Sequence, residues 1–107
     1  SRHVSQAIRF VRERYRESVT LEMAAKHIGL NPSYLSRIFK EETHSTFSEY
    51  LNRVRIDAGR KLLESGQYSI KQISDQVGFG TYNYFFKVFK ETTGMTPQAY
   101  INSLGRQ

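Results

Sequence analysis

The sequence predicts an all-α fold, because its apolar residues recur at helical spacing along nearly the whole chain. The longest such run extends over residues 46–65, where Thr46 and Glu49 form a capping box that opens a helix. Its apolar residues fall on two faces: Phe47, Tyr50, Leu51, Val54, Ala58 and Leu62 on one, and Ile56, Gly59 and Leu63 on the other. A helix with two apolar faces has packing partners on both sides, so we interpret this run as a central linker helix.

Three shorter helices are predicted before the central helix. The first covers about residues 3–16, and the second follows Thr20, a preferred N-cap residue, and ends at Gly29. Asn31 and Pro32 open the third helix as its N-cap and first helical residue. The inner faces of the three helices carry Val4, Ala7, Ile8, Val11 and Tyr15; Leu21, Ala24, Ala25 and Ile28; and Leu35, Ile38 and Phe39.

The same succession of signals returns after the central helix. Ser69 begins a capping box, Gly78 ends the short helix that follows, and Thr81 caps the next one. Thr96 and Pro97 open a last helix. The inner faces here carry Ile70, Ile73 and Val77; Phe85, Val88 and Phe89; and Tyr100, Ile101 and Leu104.

The two halves of the chain are copies of one unit. Gly78 follows Gly29 by 49 positions and Phe89 follows Phe39 by 50, so the second copy has one additional residue in its turn. Identical pairs beyond the turn are Tyr34/Tyr84, Phe39/Phe89, Lys40/Lys90, Glu41/Glu91, Thr43/Thr93, Thr46/Thr96 and Tyr50/Tyr100. This duplication predicts two lobes, residues 1–45 and 66–107, joined by the linker helix 46–65.

Composition narrows the class of function. The chain has 107 residues, which suffice for one structural domain made of two small lobes, and a net charge of +6, which indicates an anionic partner. It has no cysteine, so disulfides, thiol catalysis and cysteine-based zinc sites are excluded. There is no apolar run of membrane-spanning length and no signal peptide in the N-terminal SRHVSQ, so we expect a cytoplasmic protein without membrane contact. Since the chain starts without methionine, we expect it to be part of a longer protein.

An enzyme is not expected. His3, His27 and His44 lie on three different predicted elements, and the sequence has neither an HExxH motif nor paired carboxylates in an apolar setting. Residues 78–80, Gly-Phe-Gly, lack the preceding strand that a nucleotide-binding glycine loop requires. We therefore expect no catalytic residues, no cofactor and no metal.

Each repeated unit has the pattern of a helix-turn-helix: a short helix, a turn with glycine, and a second helix. A small residue, Ala25 or Ser74, lies on each first helix, where two steeply crossing helices approach closely. In DNA-binding proteins of this pattern the second helix enters a major groove. The alternative is a helical hairpin that serves only packing.

Three segments carry a more specific resemblance. GLNPSYLSRIFKEETHSTFSEYL, RVRIDAGRKLLES and ISDQVGFGTYNYFFKVFKETTGMTPQAY together resemble the DNA-binding domain of the AraC/XylS family. The resemblance implies seven helices, two helix-turn-helix motifs joined by a long central helix, and sequence-specific transcription control in bacteria. The second half is most similar to such domains at the C-terminus of two-component response regulators. Departures from the family pattern are Gly59 and Ser74, where alanine is usual, and Phe86, where a small polar residue is common.

The candidate DNA-contacting residues lie on the faces of the third and sixth helices opposite their inner faces. They are Ser33, Ser36, Arg37 and Lys40 in the first copy and Tyr82, Asn83, Phe86, Lys87 and Lys90 in the second. Arg37 can pair with O6 and N7 of guanine, and Asn83 with adenine. Lys87 can contact guanine or phosphate, and Phe86 a thymine methyl. The resemblance implies base reading at Ser33, Ser36, Arg37, Asn83, Phe86 and Lys87, and Lys40 is expected at phosphate or in solvent.

Phosphate contacts are expected at helix N-termini, where free amides meet the positive end of the helix dipole. Asn31, Thr81 and Thr96 hold these positions. Arg55 in the central helix has two interpretations, a phosphate contact or a buried ion pair.

The central helix also predicts the geometry of binding. Roughly 18 helical residues span about 27 Å, of the order of the ~34 Å between successive major grooves on one face of DNA. Two recognition helices could therefore read adjacent major grooves of a site without two-fold symmetry; alternatively, only one helix inserts.

The expected partners are double-stranded DNA and RNA polymerase, with the isolated domain monomeric. The alternative function is a helix-turn-helix module for protein–protein interaction, favoured by the aromatic residues Tyr82 and Phe86 if both are exposed. RNA binding is electrostatically possible, but the sequence has no RNA-module signature.

Overall fold

The computed structural model describes residues 1–105, and within this range the backbone forms seven α-helices and no strand. The helices are α1 (Arg2–Arg14), α2 (Leu21–Ile28), α3 (Pro32–Thr43), α4 (Phe47–Ser65), α5 (Ile70–Gln76), α6 (Tyr82–Thr93) and α7 (Pro97–Ser103). The all-α prediction and the position of the long central helix are confirmed.

Two predicted helix ends are wrong by one or two residues. α1 ends at Arg14, with Tyr15 as its C-cap, and a turn over residues 14–17 follows, in which the amide of Glu17 donates to the Arg14 carbonyl oxygen (2.9 Å). α5 ends at Gln76, and Val77 is its C-cap. Gly78, which was predicted to end the helix, is the first residue after α5 with a positive φ (93°). Apolar spacing does not fix a helix end to within one or two residues, because the end depends on the local backbone hydrogen bonds.

The chain divides into two compact units, and the boundary falls inside α4, between Val54 and Arg55. In the first unit, α1, α2 and α3 pack on one another in all three pairs. Their core consists of the buried residues Val4, Ala7, Phe10, Val11, Val19, Ala24, Ala25, Leu35, Ile38 and Phe39. Phe47 and Leu51 of α4 complete this core. The first half of α4 therefore belongs to the first unit's core.

The second unit is built from the remainder of α4 and from α5, α6 and α7, with α6 packed on both α5 and α7. Its buried apolar residues are Ile56, Leu63, Ile73, Val77, Phe79, Phe85, Val88, Phe89 and Pro97. Ala58 and Leu62 of α4, predicted to continue the same face as Phe47, are only half-buried. Burial thus passes from one face of α4 to the other along its length. The three-part division into 1–45, 46–65 and 66–107 stays a prediction.

The duplicated sequence produces duplicated contacts. The hydroxyl of Thr43 donates to the carbonyl oxygen of Phe39 (2.8 Å), and Thr93 repeats this bond to Phe89 at the same distance. The ring of Phe39 meets Tyr50 edge-on at 5.7 Å between centroids, and in the second unit Phe89 meets Tyr100 edge-on at 5.6 Å. The internal repeat is therefore structural as well as sequential.

The C-caps of α3 and α6 differ between the copies, and this difference yields a prediction. His44 caps the C-terminus of α3 with a left-handed φ of 63°, whereas the equivalent cap of α6 is Gly94, with φ 80°. Both caps donate their amide to a carbonyl one turn back, that of Lys40 or Lys90, at 2.9 Å. A side chain is strained in this conformation and glycine is not.

We expect His44→Gly to raise the free energy of unfolding by about 0.5–1 kcal/mol, after allowing for the greater freedom of glycine in the unfolded chain. Denaturant unfolding followed by circular dichroism measures the change, with Gly94→His as the reverse substitution, expected to destabilise. If His44→Gly lowered stability instead, the imidazole would have to make contacts that outweigh the backbone strain.

Gly59 and Ser74, the two departures from alanine, both have packing roles. A Cβ on Gly59 would lie 3.3 Å from Cε1 of the fully buried Phe85 and 3.7 Å from Cγ2 of Ile73, so the missing methyl makes room for the phenylalanine ring. Ser74 is fully buried, and its hydroxyl donates to the carbonyl oxygen of Thr81 at 3.3 Å. This bond ties α5 to the N-cap of α6.

Candidate nucleic-acid interface

The first helix-turn-helix is formed by α2 and α3. Gly29 caps α2 with φ 87°, and the amides of Gly29 and Leu30 both donate to the carbonyl oxygen of Ala25, at 2.8 and 2.9 Å. Ala25 is fully buried, as expected for the small residue at the helix crossing. Asn31 then caps α3 by accepting the amides of Ser33 (2.8 Å) and Tyr34. Because these bonds fix where α3 begins, they also fix which of its residues face outward.

The second helix-turn-helix, α5 and α6, has the same construction with a longer turn. Thr81 caps α6 by accepting the amide of Tyr84 at 3.1 Å, and Ser74 holds the turn from α5. Gly80, in the turn that carries the additional residue, has φ 79°. The left-handed backbone at this position suits glycine, which has no Cβ.

The outer face of α3 presents all four predicted residues to solvent. Ser33, Ser36, Arg37 and Lys40 are exposed, and they recur at i, i+3, i+4 and i+7, which places them in one row along the helix. The opposite face, with Leu35, Ile38 and Phe39, is buried.

The outer face of α6 follows the same spacing. Asn83, Lys87 and Lys90 are exposed, and Phe86 is half-buried. The ring of Tyr82, which is 39% exposed, lies 6.0 Å from the ring of Phe86. The condition that both aromatic residues be exposed, which would favour a protein-interaction module, is therefore not met, because Phe86 is half-buried.

Arg37 already has partners within its own helix. Its guanidinium carbon lies 5.1 Å from the centre of the Tyr34 ring, and its Nη1 lies 3.4 Å from Oε1 of Glu41. The Arg37 side chain remains 60% exposed. Lys40 is also accessible, with its Nζ 3.9 Å from Oε1 of Glu49.

Glu49 belongs to the capping box of α4. The amide of Thr46 donates to Glu49 Oε1 at 2.7 Å, and the Thr46 hydroxyl accepts the Glu49 amide at 3.0 Å. The hydrogen bond from the Thr46 amide to the carboxylate is the main cause that lowers the pKa of Glu49; the Thr46 side chain and the charge of Lys40 add to the effect. The predicted capping box is confirmed.

The three residues proposed for phosphate contact are all N-caps. Thr96 caps α7 by accepting the amide of Ala99 at 3.0 Å, as Asn31 and Thr81 cap α3 and α6. Their side-chain oxygens are therefore engaged with their own helices. Contact between these N-termini and phosphate stays a prediction.

Arg55 lies in the interior of the second unit. It is only 7% exposed, and its guanidinium carbon lies 5.8 Å from the centre of the Phe79 ring. Burial lowers its pKa, because the charged form loses water. Of its two interpretations, the phosphate contact is disfavoured.

Two tyrosines on the recognition helices were not assigned a role from the sequence. Tyr34 and Tyr84 are 42% and 43% exposed and lie at equivalent positions of α3 and α6. Two features of the sequence could have indicated a role: the tyrosines are identical in the two copies, and Tyr34 lies three residues before Arg37, on the same side of the helix.

Over residues 1–105, no three histidine or acidic side chains are grouped so that they could hold a metal ion. None of the helices in that range combines the length and apolarity needed to cross a bilayer.

Comparison with known proteins gives consistent results. Residues 24–103 match the family model of a helix-turn-helix domain. The regulatory protein PocR of Salmonella typhimurium is 36% identical over 97 residues, which are 91% of this chain and 32% of that protein. The chain spans about a third of the length of the curated relatives it matches.

Solved structures agree in fold. The C-terminal domain of AraT, a response regulator from Geobacillus stearothermophilus, is 32% identical with a TM-score of 0.93, covering 96% of this chain and 86% of that one. The DNA-binding domain of AdpA, a global transcriptional factor solved in complex with a target DNA, has a TM-score of 0.87 at 22% identity, covering 94% and 90%. The second similarity concerns the fold alone.

Proposed function

The chain belongs to the AraC/XylS family of helix-turn-helix transcription regulators, and from this premise we propose that it binds double-stranded DNA sequence-specifically to regulate bacterial transcription. The observation that supports this most directly is the pair of equivalent outer faces. Positions 33, 36, 37 and 40 of α3 and 83, 86, 87 and 90 of α6 have the same spacing, and each row lies opposite a buried face. Two such rows on a chain of net charge +6 suit an anionic, groove-shaped partner.

Each residue has a proposed role. Arg37 reads guanine through its planar fork of donors, with Ser33 and Ser36 as short hydrogen-bonding groups beside it. In α6, Asn83 reads adenine, Lys87 contacts guanine or phosphate, and Phe86 contacts a thymine methyl. Lys40, Lys90 and Tyr82 flank these residues, and the N-termini capped by Asn31, Thr81 and Thr96 meet phosphates.

The proposal extends to the whole protein. The two recognition helices read adjacent major grooves, so one chain binds a site without two-fold symmetry. The protein acts in the cytoplasm with RNA polymerase as a further partner, and the isolated domain is monomeric. The similarity to AraT supports an origin in a two-component response regulator.

Selection of bound duplexes from a randomised pool, followed by gel shift, tests the proposal. A recovered consensus with two half-sites about one helical turn apart is expected if both recognition helices insert. A single half-site would mean that one helix inserts. Failure to retain any duplex would favour the alternative, a protein-interaction module.

Arg37→Ala is expected to weaken binding to the selected site by about 1–3 kcal/mol and to relax base preference at one position. Gel shift against the selected duplex and its single-base variants measures both effects. Arg9→Ala is the matched control, because Arg9 is also exposed and paired with a glutamate four residues on, but lies on α1. Equal loss on all duplexes would assign Arg37 to phosphate instead.

A further inference from the structure

The arginine proposed to read guanine is held on two sides by its own helix. Tyr34 precedes Arg37 by three residues and Glu41 follows it by four, so both lie on the same helical stripe. The guanidinium carbon lies 5.1 Å from the Tyr34 ring centre. Glu41 accepts from Nη1 of Arg37, at 3.4 Å to Oε1 and 3.5 Å to Oε2.

These contacts contribute little to folding, because all three side chains are exposed and water screens their attraction. Their effect on recognition can be larger. A free arginine has many rotamers, and ordering it for a bidentate bond costs conformational entropy on binding. Partners that order the side chain beforehand remove part of that cost, which is the general benefit of preorganisation.

The second unit provides an internal comparison. The ring of Tyr84, the equivalent of Tyr34, packs against the ring of Phe79 in a T-shaped arrangement, with centroids 5.5 Å apart. The equivalent of Arg37 is Lys87, a compact ammonium group without a planar fork to orient. The two equivalent tyrosines therefore have different partners: Tyr84 packs on Phe79 in the turn of the second unit, whereas Tyr34 packs on Arg37.

We infer that Tyr34 and Glu41 are positioning residues that hold the Arg37 guanidinium in the orientation that reads a guanine; this inference rests on the proposed function. Tyr34 acts through its ring face, and Glu41 through its carboxylate. Because that carboxylate also repels phosphate, it reduces affinity for every duplex while it improves discrimination by Arg37.

The experiment measures Kd for two duplexes, the selected site and a variant with the Arg37-dependent base pair replaced. Tyr34→Leu is expected to lower the ratio of the two affinities about 2- to 5-fold, the range of an exposed cation–π contact, and Tyr34→Phe to preserve it. Glu41→Gln is expected to bind both duplexes more tightly with a lower ratio. In an Arg37→Ala background, Tyr34→Leu is expected to leave the ratio unchanged.

Tyr84→Leu is the matched control, expected to leave the ratio at the Arg37 position unaltered, and thermal melting of each variant checks that it is folded. An unchanged ratio in folded Tyr34→Leu would overturn the inference. So would a fall of the ratio in Tyr34→Phe as large as that in Tyr34→Leu, because that result would assign the effect to the hydroxyl and not to the ring face. If the unsubstituted chain bound the two duplexes with equal affinity, the proposed sequence-specific function itself would fail. That result is distinguishable from a failure of the inference about Tyr34 and Glu41.

Discussion

Replacing Phe89 by alanine is expected to lower the free energy of unfolding by about 3–5 kcal/mol, the usual cost of emptying a phenylalanine site in a core. Phe89 is fully buried, with its ring 5.5 Å from Phe85 and 5.6 Å from Tyr100. Within a small unit few neighbouring side chains can collapse into the space, so the cavity cost adds to the lost burial. Denaturant unfolding measures the change, provided that the transition is two-state.

Phe86 is the matched control, because it is the same residue type three positions earlier on the same helix. It is half-buried on the outer face of α6, so Phe86→Ala is expected to cost about 1 kcal/mol or less. The variant with the smaller loss of stability should have the larger defect in DNA binding. Folded Phe86→Ala should lose preference for thymine at one position, whereas Phe89→Ala should bind normally whenever it is folded. Similar stability losses in both would show that the two faces of α6 are not distinct.

Raising the salt concentration from about 50 to about 200 mM is expected to weaken DNA binding about 10²-fold. The reason is that roughly four cationic side chains contact the DNA, and each contributes about 0.9 to the slope of log affinity against log salt concentration. These side chains are Arg37, Lys40, Lys87 and Lys90, all exposed on the outer faces of α3 and α6. Each of them releases counterions condensed on the DNA when it approaches a phosphate or a groove edge.

The double variant Lys40→Gln/Lys90→Gln is expected to reduce that slope by about 1.8 without changing base preference. Arg9→Gln on α1 removes the same kind of charge from outside the two faces and should leave the slope almost unchanged. Fluorescence anisotropy with a labelled duplex gives both quantities. A flat titration for the unsubstituted chain would argue against DNA as the partner.

Local sequence alone determined where most helices begin. The capping boxes of Thr46 with Glu49 and of Ser69 with Gln72 form as predicted, because each involves groups only three residues apart. The outer faces of α3 and α6 were determined in the same way: once the buried positions recur at helical spacing, the exposed row is fixed by geometry. The duplication then fixed the equivalence of the two rows.

Tertiary structure alone decided how particular side chains are used. Nothing near Arg55 in the sequence indicates burial against Phe79, 24 positions later, nor does the context of Gly59 reveal that Phe85 needs its space. Tyr34 is the instructive intermediate case, since helical spacing allows its contact with Arg37 but cannot choose among competing rotamers. Periodicity assigns a residue to a face, whereas its partners depend on packing between segments distant in the chain.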